Sequence, residues 1–222
     1  MTEDRTGPNG PRPTAVRRPA RRSAPGFGPS VRLRFRPPAT LTDTLFAALA
    51  SGNPDLRMER SAGGDLEIMV PAGGGSSNRN FLLNYRLGQW SENEGRGLGQ
   101  CFDSSAGFAF PNGAIRSPDA SWVARERWEA LTPAEKEGFV PLCPDFVAEL
   151  RSTTDRPAAL RRKMREYLAE GARLGWLIDP LTGRVAVYRP DRPVETLERP
   201  ARLSGENVLP GFVLDLKGVL GD

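Results

Sequence analysis

Three residues far apart in the chain carry chemistry that a 222-residue sequence without histidine can still perform. They are Asp119 in the stretch AIRSPDASWVA, Glu149 in DFVAELRS, and Lys163 in RPAALRRKMREYLAEGA. The absence of histidine removes His-based general-base catalysis, Ser–His and Cys–His nucleophile pairs, and His-ligated zinc and haem, leaving carboxylates, Lys, Arg and hydroxyls. Side chains alternate along a strand, so Glu149 shares a face with Val147 and Arg151 in an otherwise apolar run, and Asp119 stands in a similar half-apolar setting. A charge in such a place needs a reason. Two carboxylates that converge repel each other and raise one pKa, unless a divalent cation between them turns repulsion into coordination. Hard oxygen ligands suit Mg²⁺ or Mn²⁺, with a backbone carbonyl near Leu150 and several waters completing the shell. An ion of this kind neutralises a phosphate and lowers the pKa of a bound water.

Lys163 lies on a helical pattern whose inward stripe is Leu160, Met164, Tyr167 and Leu168. At about 100° per residue it sits about 60° to one side of Leu160. Its ammonium can lean over the sheet edge and stabilise charge on a phosphoryl group or position the attacking water. The plain alternative is a flanking lysine that pairs with Glu166 or Glu170. Only Lys136, Lys163 and Lys217 accompany 28 Arg, so each lysine stands out.

The elements that must position these groups follow from pattern. LTDTLFAALASGN reads as a short helix, and LRMERSAGGDLEIMVP reads as a β-hairpin turning at Gly63-Gly64. SSNRNFLLNYRLGQWSENEG reads as the first long helix, capped by Ser76 or Ser77, with Phe81, Leu82, Tyr85 and Trp90 at helical spacing and a stop at Gly95. Three strands, QCFDSSAGFAFP, AIRSPDASWVA and DFVAELRS, follow, with a short helix near LTPAEKEGF before the third. The Lys163 helix is expected to be capped by Asp155, with Pro157 in its first turn and an end at Gly171. LGWLIDP then turns through Pro180 to Gly183 into RVAVYRP. This order is an α/β unit with Asp119 and Glu149 on neighbouring strands.

Composition sets the outer bounds. The apolar fraction of 38% supports one core, whereas 24 Gly and 21 Pro promise abundant turns. Residues 1–36 hold nine Arg against Glu3 and Asp4, a balance of +7, so the remainder carries −3 of the total +4. This Pro- and Arg-rich segment buries too little to offset ordering entropy and reads as a disordered tail, leaving residues 37–222 as the domain. The tail is either an arm that attracts nucleic acid by counterion release or an extension with no role. Cys101 and Cys143 lack C-x-x-C spacing and read as small hydrophobes. The longest apolar run, Leu45 to Ala50, is too short to span a membrane, so a cytoplasmic protein with no membrane partner is expected. Gly73 to Gly75 has no G-x-x-x-x-G-K context and reads as a flexible turn. Trp90, Trp122, Trp128 and Trp176 read as core or interface aromatics.

SPDASWV, PDFVAELRSTTD and LRRKMREYLAEGARLGWLIDPLTGRVAVYRP, in this order and spacing, resemble the Uma2 family, a branch of the PD-(D/E)XK nuclease superfamily. NPDLRMER, IMVPAGGGSSNRN and FLLNYRLGQW resemble its N-terminal half, so the likeness spans roughly residues 39–200. The run K-x-x-E-Y-x-x-x-G-x-x-x-x-W-L-I-D is its most specific piece. The resemblance implies a restriction-endonuclease-like α/β core: a mixed central sheet flanked by helices, with the hairpin as an N-terminal extension. It makes Asp119 and Glu149 the metal-binding acids of the second and third core strands, and Lys163 the catalytic lysine moved from strand to helix. It also implies Mg²⁺ or Mn²⁺ as cofactor, hydrolysis of DNA phosphodiester bonds, and a homodimer, because duplex cutting in the superfamily commonly needs two sites. Arg151 stands where most superfamily members have lysine and this family an apolar residue; it either assists Lys163 or faces solvent. Glu59 and Glu94 are candidates for a further acidic ligand, each also readable as a surface charge. Ser152 either hydrogen-bonds within the site or starts a turn. The rival to a nuclease is a catalytically silent module of the same fold that binds nucleic acid or a partner.

Overall fold

Among the described residues the chain forms a five-stranded sheet, a six-stranded sheet and a two-stranded ladder, and the stretch from Ile115 to Ala124 passes from the first to the second. The structure is a computed structural model and describes Met1 and residues 30–221. In chain order its elements are β1 (Val31–Leu33), α1 (Asp43–Gly52), β2 (Met58–Arg60), β3 (Leu66–Ile68), α2 (Gly74–Glu92), β4 (Gly99–Asp103), β5 (Phe108–Ala109), β6 (Ile115–Arg116) and β7 (Ala120–Ala124). Then come α3 (Arg125–Glu129), α4 (Pro133–Glu137), β8 (Phe146–Leu150), α5 (Pro157–Ala169), β9 (Leu174–Asp179), β10 (Arg184–Tyr188), β11 (Glu195–Glu198), β12 (Arg202–Ser204) and β13 (Val213–Asp215).

The larger sheet has six strands in the order β11-β10-β9-β8-β7-β4. Only the β8–β9 pair is parallel, and α5 is its crossover, as a parallel neighbour requires. The strands' alternation gives the sheet two greasy faces. Phe146, Ala148, Trp176 and Ile178 face α2 through Leu83, Leu87 and Trp90, together with the chain from Leu203 to Leu220. Val123, Val147 and Leu177 face α5 through Met164 and Tyr167. A mixed sheet between helices is therefore the observed architecture. Gly99 is needed for close approach: a Cβ there would lie 2.2 Å from the Val123 carbonyl oxygen.

The hairpin expected at Gly63-Gly64 is present as β2–β3, turning at Gly64 with φ 78°. It is more than an extension, because β1, β6 and β5 join it in a five-stranded sheet ordered β1-β3-β2-β6-β5. AIRSPDASWVA, read as one strand, is divided between β6 and β7 at Ser117-Pro118-Asp119, where proline cannot donate to a ladder. QCFDSSAGFAFP is likewise divided into β4 and β5. Most of the segment read as a tail lies outside the described residues, but Val31–Leu33 at its end pairs with β3, so the folded part begins earlier than residue 37.

Two helix starts differ from expectation. α2 begins at Gly74, before Ser76 and Ser77, and its N-cap Gly73 offers no side-chain cap. Its buried stripe is Leu83, Leu87 and Trp90, whereas Phe81 and Tyr85 are 63% and 57% exposed and stack on each other at 6.1 Å. Arg156 is the N-cap of α5 and Pro157 opens it; Asp155 instead accepts hydrogen bonds from the Ser152 amide and hydroxyl. Trp90, Trp122 and Trp176 are buried, and both cysteines are free thiols. No helix among the described residues is long and apolar enough to cross a membrane.

Candidate active site

Asp119 and Glu149 meet through strand register. Ala120 pairs with Ala148 in the antiparallel β7–β8 ladder, and one step further along places Asp119 opposite Glu149. The Leu150 amide donates to Asp119 Oδ2 at 2.8 Å, fixing that carboxylate at the end of β8. Asn84 of α2 donates to the Asp119 carbonyl at 2.9 Å, and Arg57 lies 3.7 Å from Asp119 Oδ1. Glu149 is buried, and its Oε1 accepts from Tyr167 OH at 2.7 Å and lies 2.8 Å from Lys163 Nζ. Its Oε2 takes no hydrogen bond from the described residues.

Lys163 reaches this point from α5, one turn before Tyr167, and its side chain is only 14% exposed. Its partners are Glu149 and Glu59 Oε1, each at 2.8 Å, rather than Glu166 or Glu170. Glu59 is 1% exposed, not a surface charge. It also accepts from the Ser117 amide and from Arg116, both at 3.1 Å, and Arg116 in turn holds Glu166 of α5 at 2.6 Å. The small sheet thus contributes a carboxylate and a guanidinium that anchor both polar residues on the inner edge of α5.

The electrostatics follow from burial and charge order. Burial pushes the Glu149 carboxyl up to about 7; the Lys163 ammonium pulls it down but is outweighed once the negative charges of Asp119 and Glu59 are added. Burial also raises Asp119, against the opposing pull of Arg57. Burial opposes ionisation of Glu59 too, yet Lys163 and Arg116 together hold it below the ordinary carboxylate value. For Lys163 burial disfavours the charged form, but Glu149 and Glu59 raise its pKa overall, so the amine stays protonated. Burial and the nearby Glu149 charge raise the Tyr167 phenol, which remains a hydrogen-bond donor.

These groups floor a cleft of about 1190 Å³, above the usual size of a small-ligand pocket, walled by the small sheet, the start of α2, the Arg151–Arg156 loop and α5. Arg151 pairs with Asp179 at 2.7 Å. Ser152 and Asp155 form the turn after β8. Glu94 is exposed beyond the end of α2, away from the cleft lining. Sequence reasoning missed Arg116 and took Tyr167 for a core residue only. Arg116 lies in a two-residue strand that leaves no local pattern, and Tyr167 falls on the inward stripe of α5.

A mixed sheet with acids at the ends of two adjacent strands and a lysine on the crossover helix defines a restriction-endonuclease-like fold. The family model of Uma2, described as "Putative restriction endonuclease", matches residues 44–217, and the chain belongs to this family. Among solved structures it is similar to a protein from Anabaena variabilis described as a "putative nuclease belonging to DUF820". The two share 21% identity and a TM-score of 0.61 over 73% of this chain and 89% of that one, a likeness of fold. Comparison with curated proteins finds no match.

Proposed function

We propose that the protein is a Mg²⁺- or Mn²⁺-dependent endonuclease of DNA, in which Asp119 and Glu149 hold the ion and Lys163 is the catalytic lysine. The observation that carries this reading is the position of Lys163 Nζ, 2.8 Å from a buried carboxylate whose register partner is a second carboxylate. The donor set fits a small hard cation. No group of three or more His, Cys, Asp or Glu residues able to hold a metal occurs among the described residues, and Mg²⁺ characteristically takes one or two carboxylates and keeps its waters. The raised pKa values of both acids reflect burial without enough positive charge, which a cation would supply.

Bound there, the ion would neutralise a phosphate oxygen and lower the pKa of a water. The chain's own residues supply the rest. Lys163, held protonated by Glu149 and Glu59, works as a fixed positive charge facing a pentacoordinate phosphoryl group rather than as a proton acceptor. Tyr167 fixes the Glu149 carboxylate through Oε1, so that Oε2 is the oxygen left for the ion. Glu59 and Arg116 keep the ammonium in place.

Nicking of supercoiled plasmid in Mg²⁺ or Mn²⁺ tests the reading. Asp119→Asn, Glu149→Gln and Lys163→Met are each expected to abolish cleavage while circular dichroism stays native, and calorimetry should detect Mn²⁺ binding that Glu149→Gln removes. Cleavage by Glu149→Gln at the wild-type rate overturns the assignment. DNA binding without Mn²⁺ binding would leave the silent module instead.

A further inference from the structure

The basic residues lining the cleft fall into two sets. One set is neutralised: Arg57 by Asp119, Arg116 by Glu59 and Glu166, Arg151 by Asp179, Lys163 by Glu59 and Glu149, and Arg32 by Glu67. Four others, Arg34, Arg79, Arg156 and Arg162, line the same cleft with no carboxylate within 4.0 Å among the described residues. They come from separate walls. Arg34 follows β1 on the small sheet and Arg79 lies in the first turns of α2; Arg156 caps α5, and Arg162 immediately precedes Lys163. Arg34, Arg156 and Arg162 are exposed and Arg79 half-exposed, so their charge is offered to whatever fills the cleft.

A second observation agrees. The first turn of the 19-residue α2 opens at Gly73, also on the cleft wall, with no side-chain cap. The first amides of a helix need an acceptor, and the positive end of the dipole favours an anion. The exposed hydroxyls of Ser77 and Thr153 add neutral donors on both walls. Planar guanidiniums, free amides and hydroxyls suit phosphate oxygens, whereas the Asn and Gln pairs or aromatic wedges that read bases are not prominent in the lining. Building on the nuclease reading, we infer that Arg34, Arg79, Arg156 and Arg162, with the uncapped start of α2, form a track for the phosphodiester backbone. It grips DNA on both sides of the scissile phosphate without reference to base sequence.

The track predicts a salt slope. Each phosphate contact contributes ~0.9 to the fall of log affinity with log salt on duplex DNA, so four contribute ~3.6. The test is fluorescence anisotropy of the full chain in EDTA, with two duplexes of unrelated sequence and a single strand, between 50 and 200 mM salt. The wild type should bind both duplexes equally. The quadruple variant R34Q/R79Q/R156Q/R162Q should lose that share of the slope, so wild type should lose ~150-fold more affinity than the variant over this fourfold salt range. On the single strand the share should be smaller, ~0.7 per contact. Unpaired surface charges leave the fold unaffected, so the variant should melt with the wild type. A variant with wild-type slope and affinity overturns the track, even if Mn²⁺-dependent cleavage is intact. More than tenfold preference for one duplex also overturns it. Failure of the nuclease reading looks different: no cleavage in Mn²⁺, with the steep, arginine-dependent slope in EDTA retained.

Discussion

Replacing Glu149 by glutamine should abolish a pH dependence of stability that the wild type carries in a window where little else titrates. Burial raises this carboxyl from 4.5 to about 7 in the folded state. Between these values the native protein binds nearly one proton more than the unfolded chain, so stability is fully present below about pH 4.5 and is lost as pH rises through about 7. At 1.36 kcal/mol per pK unit the loss is about 3 kcal/mol. For a domain of this size that is a fall of about 6–12 °C in Tm. The raised pKa of Asp119 acts in the same sense, whereas that of Glu59, which is lowered, acts in the opposite one, its share of stability being lost as pH falls. The absence of histidine removes the usual competing signal. Melting curves in EDTA from pH 5 to 8 should therefore slope downward for the wild type and run nearly level for Glu149→Gln. Saturating Mn²⁺, which favours the ionised carboxylate, should flatten the wild-type curve. Parallel curves for the two proteins would refute the burial-dominated electrostatics of the site.

Other substitutions probe the same framework. Lys163→Met leaves the Glu59 and Glu149 carboxylates without their ammonium; it should cost about 3–5 kcal/mol at pH 8 by chemical denaturation and less at pH 6, where Glu149 takes up a proton. Tyr167→Phe removes the donor 2.7 Å from Glu149 Oε1 and should lower stability by about 1–3 kcal/mol, read from urea midpoints. Gly99→Ala drives a methyl to 2.2 Å from the Val123 carbonyl oxygen and should cost about 1–3 kcal/mol or more; an unchanged Tm would contradict the β4–β7 register. Mn²⁺ affinity measured by calorimetry should rise from pH 6 to 8 as Glu149 loses its proton.

The central sheet was legible because its strands are apolar on both faces and punctuated by Gly and Pro, and because Pro157 and Gly171 bracket α5. Helical geometry put Lys163 beside the apolar stripe of α5, leaning over the sheet edge, whereas its proposed role came from the family resemblance. The second sheet was not legible, since β5 and β6 are two residues long and owe their existence to pairing with distant partners. For the same reason Glu59 read first as a surface charge: nothing local to a three-residue strand says that Arg116 and Lys163 will close over it. Of the expected α2 stripe, Trp90 and Leu82 pack inward but Phe81 and Tyr85 face outward, because the aromatic spacing outweighed Leu83 and Leu87, which pack on the sheet.

The chain crosses between its two larger sheets within three residues, from Arg116 to Asp119, and both ends of the crossing line the cleft. The smaller sheet therefore contributes directly to the proposed centre, because Glu59 of β2 pairs with Lys163. A fragment lacking the first seventy residues could retain both opposed acids, yet its lysine would have lost one of its two counter-anions. The cluster around Lys163 is complete only when Glu59 of β2 has joined it.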